Sequence, residues 1–369
     1  MRKPLSLLCI CLLAGVLMAC GGTPTSGPTG GGTADEKLAA VLDQVKGLQG
    51  RQRADKLAQL AKDAGGTVSI YTALTNKVAG EVQKRFQQRY GLKLTVYRAS
   101  TEAISRRLVQ EVMARKPGAD VVESGGTELV ELGNQGVLAV YDSPERQALH
   151  DAAKPSTTWT GTRFQVYEPA WNTEQVTSPP KSWEELADPK WNGRLAMEPN
   201  NSDWYMTLSE HWLQQGKSQA EVDKLWRDIA EGTVMVSGHS TMRELLGVGE
   251  YGAVAALPTY MTEESMEAGL PLAWKPTVSP AIVRAQGAGV VKNSPNPAGA
   301  LLLMDWLLAK DGGQQIFVDA HIDPARADMS KLDMSTVKVI DLKRYVAESK
   351  RWQDAFEKVT RLGTVAGRK

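Results

Sequence analysis

Strand, helix and strand follow one another in strict order here, and that order limits the folds open to this chain more than any other feature. Residues 67–71 form a β-rich run, followed by Val78, Val82, Phe86 and Tyr90 at four-residue spacing and a closing Gly91. Residues 92–97 make a second strand. Ile104, Leu108 and Val112 lie on a second helix that Lys116-Pro117-Gly118 ends, residues 120–122 make a third strand, and Leu129 and Leu132 fall on the next helix. A β-α-β-α-β order predicts a mainly parallel sheet flanked by helices. In such sheets ligands bind beyond the carboxyl ends of the strands. That places the candidate site in the loops carrying Tyr71, Thr72 and Ala73, then Arg98, Ser100 and Thr101, then Ser124 and Gly125.

A second α/β block repeats the arrangement. Ser182-Trp183-Glu184-Glu185 reads as a capping box that opens a helix. Residues 194–198 read as a strand before the polar loop 199–203, which holds Asn200 and Asp203. Residues 212–229 read as largely helical. Residues 233–236 read as a strand leading to Ser237, Gly238, His239 and Ser240, and Thr241 with Glu244 marks a helix start. Residues 252–257 read as a strand ending at Pro258-Thr259-Tyr260. Two such blocks facing each other form a cleft, a common place for a small ligand. Residues 342–362 form an amphipathic pattern expected to pack on the first block.

The amino end carries an address. Arg2 and Lys3 precede an apolar run over residues 5–19, shorter than the roughly 20 residues a membrane span needs. It reads as a signal peptide. The run ends in Leu17-Met18-Ala19-Cys20-Gly21, which resembles the lipobox of bacterial lipoproteins. That resemblance implies cleavage before Cys20 and lipidation of its thiol. Residues 21–33 are only Gly, Pro, Ser, Thr and so predict a flexible tether. All three cysteines lie in the first twenty residues, so the body has no disulfide framework. Removing residues 1–19 takes away Arg2 and Lys3 and leaves 41 basic against 42 acidic side chains. This balance argues against a nucleic-acid binder. Residues 35–64 read as two amphipathic helices broken at 47–50 and stopped by Gly65-Gly66.

Residues 182–195, Ser-Trp-Glu-Glu-Leu-Ala-Asp-Pro-Lys-Trp-Asn-Gly-Arg-Leu, resemble a segment recurring in bacterial solute-binding proteins of the ferric-iron-binding type. Residues 68–72, 117–121, 249–251 and 287–291 are similar to that family too, so the resemblance covers residues 57–328. It implies an α/β type II periplasmic binding protein: two lobes, each a mainly parallel sheet flanked by helices, with a ligand cleft between them. It also implies delivery of the ligand to the permease of an ABC transporter, on the outer side of the cytoplasmic membrane. The expected division is a signal peptide at 1–19, a tether at 20–34 and N-terminal helices at 35–66. Lobe 1 is expected at 67–165 with 283–369, and lobe 2 at 166–282. The protein is expected to be a monomer held to the membrane by its lipid alone.

In that family, ferric ion is often held by a His after the first strand, a Glu after the third and a consecutive Tyr pair after the sixth. This chain has Thr72-Ala73-Leu74, Ser124-Gly125-Gly126 and Tyr260-Met261 at those places. The expected ligand is therefore an iron chelate or an organic or phosphorylated anion, with no bound metal and no cofactor. A strand-to-helix junction at Ser237–Thr241 favours an anion. Arg98 or Arg284 could pair an acidic group bidentately. Tyr167, Trp171, Trp204, Tyr205 and Tyr260 could stack on a ring or pack core and hinge. Arg284 sits on the expected return strand.

Catalysis has little support. The histidines at 150, 211, 239 and 321 form no H-E-x-x-H. Gly238-His239-Ser240-Thr241 ends in Met242 where a nucleophile elbow needs glycine. Gly247-Val248-Gly249-Glu250-Tyr251-Gly252 matches G-x-G-x-x-G, but follows a helix and precedes a strand, the reverse of the dinucleotide order. The expectation is a binding protein that is not an enzyme. The alternatives are a ligand-binding extracellular sensor and a secreted hydrolase.

Overall fold

The structure, a computed structural model, describes residues 34–365. The signal peptide, Cys20 and nearly all of the expected tether lie outside the described residues.

Helices α1 (Ala34–Gln44) and α2 (Gly50–Asp63) precede the first strand. Leu57 and Ala61 are fully buried on the inner face of α2. Strands β1 (Thr67–Thr72), β2 (Lys93–Arg98) and β3 (Val121–Gly125) run parallel, with Thr67 opposite Lys93 and Ile70 opposite Val121. Their crossovers are α3 (Asn76–Tyr90) and α4 (Thr101–Met113), and α5 (Gly126–Asn134) follows β3. Thr75 and Ser100 cap α3 and α4 by accepting backbone N–H bonds.

Two long strands then cross the molecule. Strand β4 (Thr160–Asn172) leads into the second block: β5 (Leu195–Met197), α6 (Ser202–Gln214), α7 (Gln219–Ala230), β6 (Val234–Met235), α8 (His239–Gly247), β7 (Ala253–Pro258), α9 (Thr259–Glu267) and β8 (Leu272–Ala273). Strand β9 (Ala281–Val290) returns antiparallel to β4, with Gln165 opposite Arg284. Strands β5, β6 and β7 are parallel to one another, and β7 pairs antiparallel with β4. After β9 come α10 (Pro297–Leu308), α11 (Gly313–Asp319), β10 (Asp323–Pro324), β11 (Val337–Val339), α12 (Leu342–Ala347), α13 (Ser349–Thr360) and β12 (Thr364–Val365). The result is two parallel α/β lobes joined through β4 and β9.

Several local expectations change. Residues 184–187 form a 3₁₀ turn, not an α-helix, although the Ser182 hydroxyl accepts from the Glu185 N–H at 3.4 Å. The stretch 212–229 is broken between α6 and α7, where Gly216 has φ +93°. Helix α8 starts at His239, two residues before the expected Thr241, because Gly238 (φ +93°) makes the turn that a side chain would resist. Strand β3 runs straight into α5 with no loop. Gly126 allows this, since a Cβ there would lie 2.3 Å from the Ala285 carbonyl oxygen.

The carboxyl-terminal expectation is corrected more substantially. Helix α13 packs on α6 and α7 of the second lobe, and β12 pairs with β6, with Thr364 opposite Val234. The cause is aromatic packing: Phe356 stacks on Tyr205 at 5.0 Å between ring centroids, and Trp352 meets the same ring at 6.2 Å. Helix α12 contacts both α5 and α6, so the chain crosses between the lobes a third time.

Candidate functional site

A cavity of about 970 Å³ opens between the lobes. The two crossing strands form its floor. Side chains alternate faces along a strand, and Gln165, Arg284 and Gln286 project to this one. Gln286 donates to Gln165 at 2.6 Å. The wall also receives the starts of six helices: Thr75 caps α3, Thr101 opens α4, Gly125 precedes α5, Asn201 precedes α6, Gly238 precedes α8, and Tyr260 lies in the first turn of α9. Each helix start presents backbone N–H groups and a partial positive charge. Six such starts lining one space favour an anion.

Arg284 is the main fixed cation on the floor. Its guanidinium pairs with Asp203 and lies 5.0 Å above the Tyr167 ring. Asp203, Tyr167 and the nearby Glu128 raise its pKa, outweighing burial, so it stays charged. Arg284 Nε, Asp203 Oδ2 and the Tyr167 hydroxyl are buried and have no hydrogen-bond partner. Buried polar groups are normally paired, so this floor holds unused donors and an unused acceptor.

The other charges on the wall are largely engaged. Glu198 accepts from the Gly238 N–H and from both nitrogens of Asn200, the latter two at 3.0 and 3.2 Å, and so fixes two polar loops at once. Burial raises the pKa of its carboxyl. Burial also raises that of Glu128, which accepts from the Thr101 hydroxyl at 3.0 Å. Arg163 pairs with the fully buried Glu123. His239 lies 3.2 Å from the Asn201 amide nitrogen, which donates to its Nε2. Burial and the Arg284 charge push the His239 pKa down to about 3, so the ring is neutral. Burial raises the pKa of the Tyr260 hydroxyl, keeping it a neutral phenol.

Of the residues singled out from sequence, Ala73, Thr101, Gly125, Asn200, Asp203, His239, Tyr260 and Arg284 lie on the cavity wall. Others do not reach it. Tyr71 turns towards α4 and donates to Glu111 at 2.9 Å, and Thr72 donates to Glu123 at 2.6 Å. Arg98 donates to the Leu74 carbonyl at 2.8 Å, and Ser100 is consumed as the α4 cap. Ser124 is buried in β3. Tyr167 lies fully buried beneath Arg284. Trp204 belongs to the core, with its ring 5.1 Å from Trp226 and 5.7 Å from Trp183. Trp171 and Tyr205 are core residues as well. Ser237 is exposed off the wall, and Ser240 lines a smaller neighbouring cavity.

The sequence reading missed Arg163, Gln165, Glu198, Gln286, Tyr345 and Gln353, all on the wall. Strand parity from Arg284 identifies Gln286. Tyr345 and Gln353 come from the segment whose packing was misplaced. Among the described residues, no group of three or more His, Cys, Asp or Glu side chains is arranged to hold a metal ion, and no helix is long and apolar enough to cross a membrane.

A family described as bacterial extracellular solute-binding protein matches residues 130–344. The Fe(3+)-binding periplasmic protein of Serratia marcescens is 24% identical over 266 residues, covering 69% of this chain and 77% of that protein. The fold is that of AfuA from Actinobacillus pleuropneumoniae, solved with exogenous fructose-6-phosphate bound (TM-score 0.67, 20% identity, 81% of this chain and 99% of that one). It is also that of iron-bound HitA from Pseudomonas aeruginosa (TM-score 0.63, 20% identity, 79% and 99%). These relatives are binding proteins, not enzymes. With a matched segment that takes in both crossing strands and about half of the cavity wall, the chain belongs to the bacterial extracellular solute-binding proteins.

Proposed function

We propose that the protein captures a small organic or phosphorylated anion, or an anionic iron chelate, between its lobes and hands it to the permease of an ABC importer. It does so as a monomer without a catalytic step. On this reading Cys20 carries the lipid that holds it outside the cytoplasmic membrane, with residues 20–34 as the leash.

The observation that supports this reading is the floor of the cavity. A half-buried guanidinium with an unpartnered Nε is ringed by six helix starts. A ligand with an acidic group satisfies Arg284 and the N–H groups. Hydroxyls on the same ligand suit Asp203, Gln165 and Gln286. The Tyr260 phenol and the His239 ring are neutral, and the Glu128, Glu198 and Asp203 carboxyls are engaged by Thr101, Asn200 and Arg284, a poor set for bare ferric ion, which favours several free anionic oxygens. The relatives that bind iron and the one solved with a sugar phosphate bracket the two classes of ligand.

The full-length protein in detergent, exposed to a bacterial small-molecule extract and washed, is then denatured and its released solute analysed by mass spectrometry and metal analysis. The expected result is one small acidic organic species in about equimolar amount. Release of ferric ion alone contradicts the reading.

A further inference from the structure

A second cavity, of about 630 Å³, lies on the opposite face of the crossing strands from the cleft. Strand alternation keeps the two linings apart except at Ile322, which touches both. Gln165 and Arg284 face the cleft, whereas Val166, Glu168 and Ala281 face this second space. Its walls come from both lobes: β4, α9 and the segment 274–279 on one side, α11 and the segment 321–337 on the other.

Glu168 is 1% exposed. Its Oε2 accepts from the Val278 N–H at 3.0 Å, and its Oε1 has no partner. A buried carboxyl with a bare oxygen is costly unless something satisfies it. Four acidic side chains, Glu168, Glu263, Asp323 and Asp333, line the cavity against Lys275 and Lys331. The other three acids already have donors: Trp274 Nε1 to Glu263 at 2.8 Å, the Ser330 hydroxyl to Asp323, and the Ser335 N–H to Asp333 at 3.0 Å. Lys275 is matched within the wall, 3.6 Å from Glu263 and 4.3 Å above the Trp274 ring. Between these charges the surface is apolar, with Val166, Val278, Val318, Ile322 and Leu332.

We propose that this second cavity binds a small organic cation, an ammonium group on an apolar body, with Glu168 as its counter-ion. The acidic excess selects the charge, the unpartnered Oε1 supplies the hydrogen-bond acceptor, and the aliphatic wall takes the body. An alcohol of the same shape offers the donor without the charge, and a carboxylate of that shape meets repulsion. The site does not rest on what the cleft binds.

Burial pushes the Glu168 carboxyl up to about 8, so the test titrates the full-length protein calorimetrically at about pH 9, where that carboxyl is ionised and an alkylammonium is still largely charged, with phenethylammonium, phenethyl alcohol and phenylacetate. The expected result is saturable binding of the ammonium, at least about tenfold weaker binding of the alcohol and no binding of the carboxylate. Glu168→Gln, which keeps the shape and an acceptor for Val278, is expected to weaken the ammonium by about tenfold or more. Since Glu168 faces away from the cleft, that loss places the ammonium in the second cavity. Absence of ammonium binding, equal affinity for the alcohol, or an unchanged Glu168→Gln affinity each overturns the proposal. In the last case Oε1 holds only water and any ammonium binds elsewhere. The ammonium-against-alcohol comparison on the wild-type protein stands even if the variant folds poorly.

Discussion

At the scale of residues, burial and a single charge decide the chemistry of the cleft. His239 illustrates this. Its folded pKa of about 3 lies below the ordinary value of 6.5. Such a group contributes stability that is present above the unfolded pKa and is lost as pH falls from about 6.5 towards about 3. Wild type should therefore lose more stability between neutral pH and pH 5 than His239→Gln does, by at most about 2 kcal/mol. Melting curves of both proteins at the two pH values measure this. Identical losses would mean that the ring titrates normally and stands in solvent. From sequence this histidine is a loop residue able to add either charge or a hydrogen bond. The structure makes it a neutral hydrogen-bonding group, because the fold buries it and sets Arg284, distant by 45 positions in sequence, beside it. Sequence could suggest both residues, but not that they are neighbours.

At the scale of elements, periodicity was a good guide wherever a helix or strand has one wet face. The alternation from β1 to α5 was legible because Val78, Val82 and Phe86, and then Ile104, Leu108 and Val112, mark single buried faces. It was weaker for α6, which is buried on nearly every side from Ser202 to Ser209 and so shows no clear stripe. The consequence was to read Trp204 as a cleft residue when it is core. The placement of α13 failed for a related reason. Its apolar face is plain, but which lobe it covers depends on Tyr205, Trp226 and Phe356 meeting in space. Phe356 is 1% exposed. Phe356→Ala should destabilise the protein by about 3–5 kcal/mol, as deletion of a buried aromatic ring does. Urea unfolding followed by tryptophan fluorescence checks it. A loss below about 1 kcal/mol would mean that α13 is not held against α6.

The same scale explains the amino-terminal helices. Their amphipathic pattern was visible, but not their partner. Arg53 of α2 reaches Asp305 of α10 at 2.9 Å and the Tyr141 hydroxyl at 3.0 Å, a buried network spanning about 250 positions in sequence. These helices thus brace the first lobe, away from the cleft.

For the whole molecule, two lobes meet across β4 and β9, and α12 adds a third link. The Tyr345 hydroxyl at the cleft wall lies 2.7 Å from that of Ser202, and Arg344 pairs with Glu210 at 2.6 Å. A ligand that contacts both lobes favours whichever arrangement lets both touch it. The cleft, its floor strands and its anion-favouring helix starts carry the central claim, that the solute is held by its negative charge on Arg284.

Thermal melting of the full-length protein tests that claim most directly. It would be recorded with fructose 6-phosphate, phosphonates, ferric citrate, fructose and bare ferric ion, and repeated with the Asp203→Asn/Arg284→Gln double variant, which removes both members of the floor ion pair together. A ligand at about a hundredfold over its dissociation constant adds about 2.7 kcal/mol to stability, a clear rise in melting temperature. The account predicts such a rise with at least one anionic solute, none with fructose or bare ferric ion, and loss of the rise in the double variant. A rise with bare ferric ion alone, or an anion-induced rise that survives removal of Arg284, would contradict it.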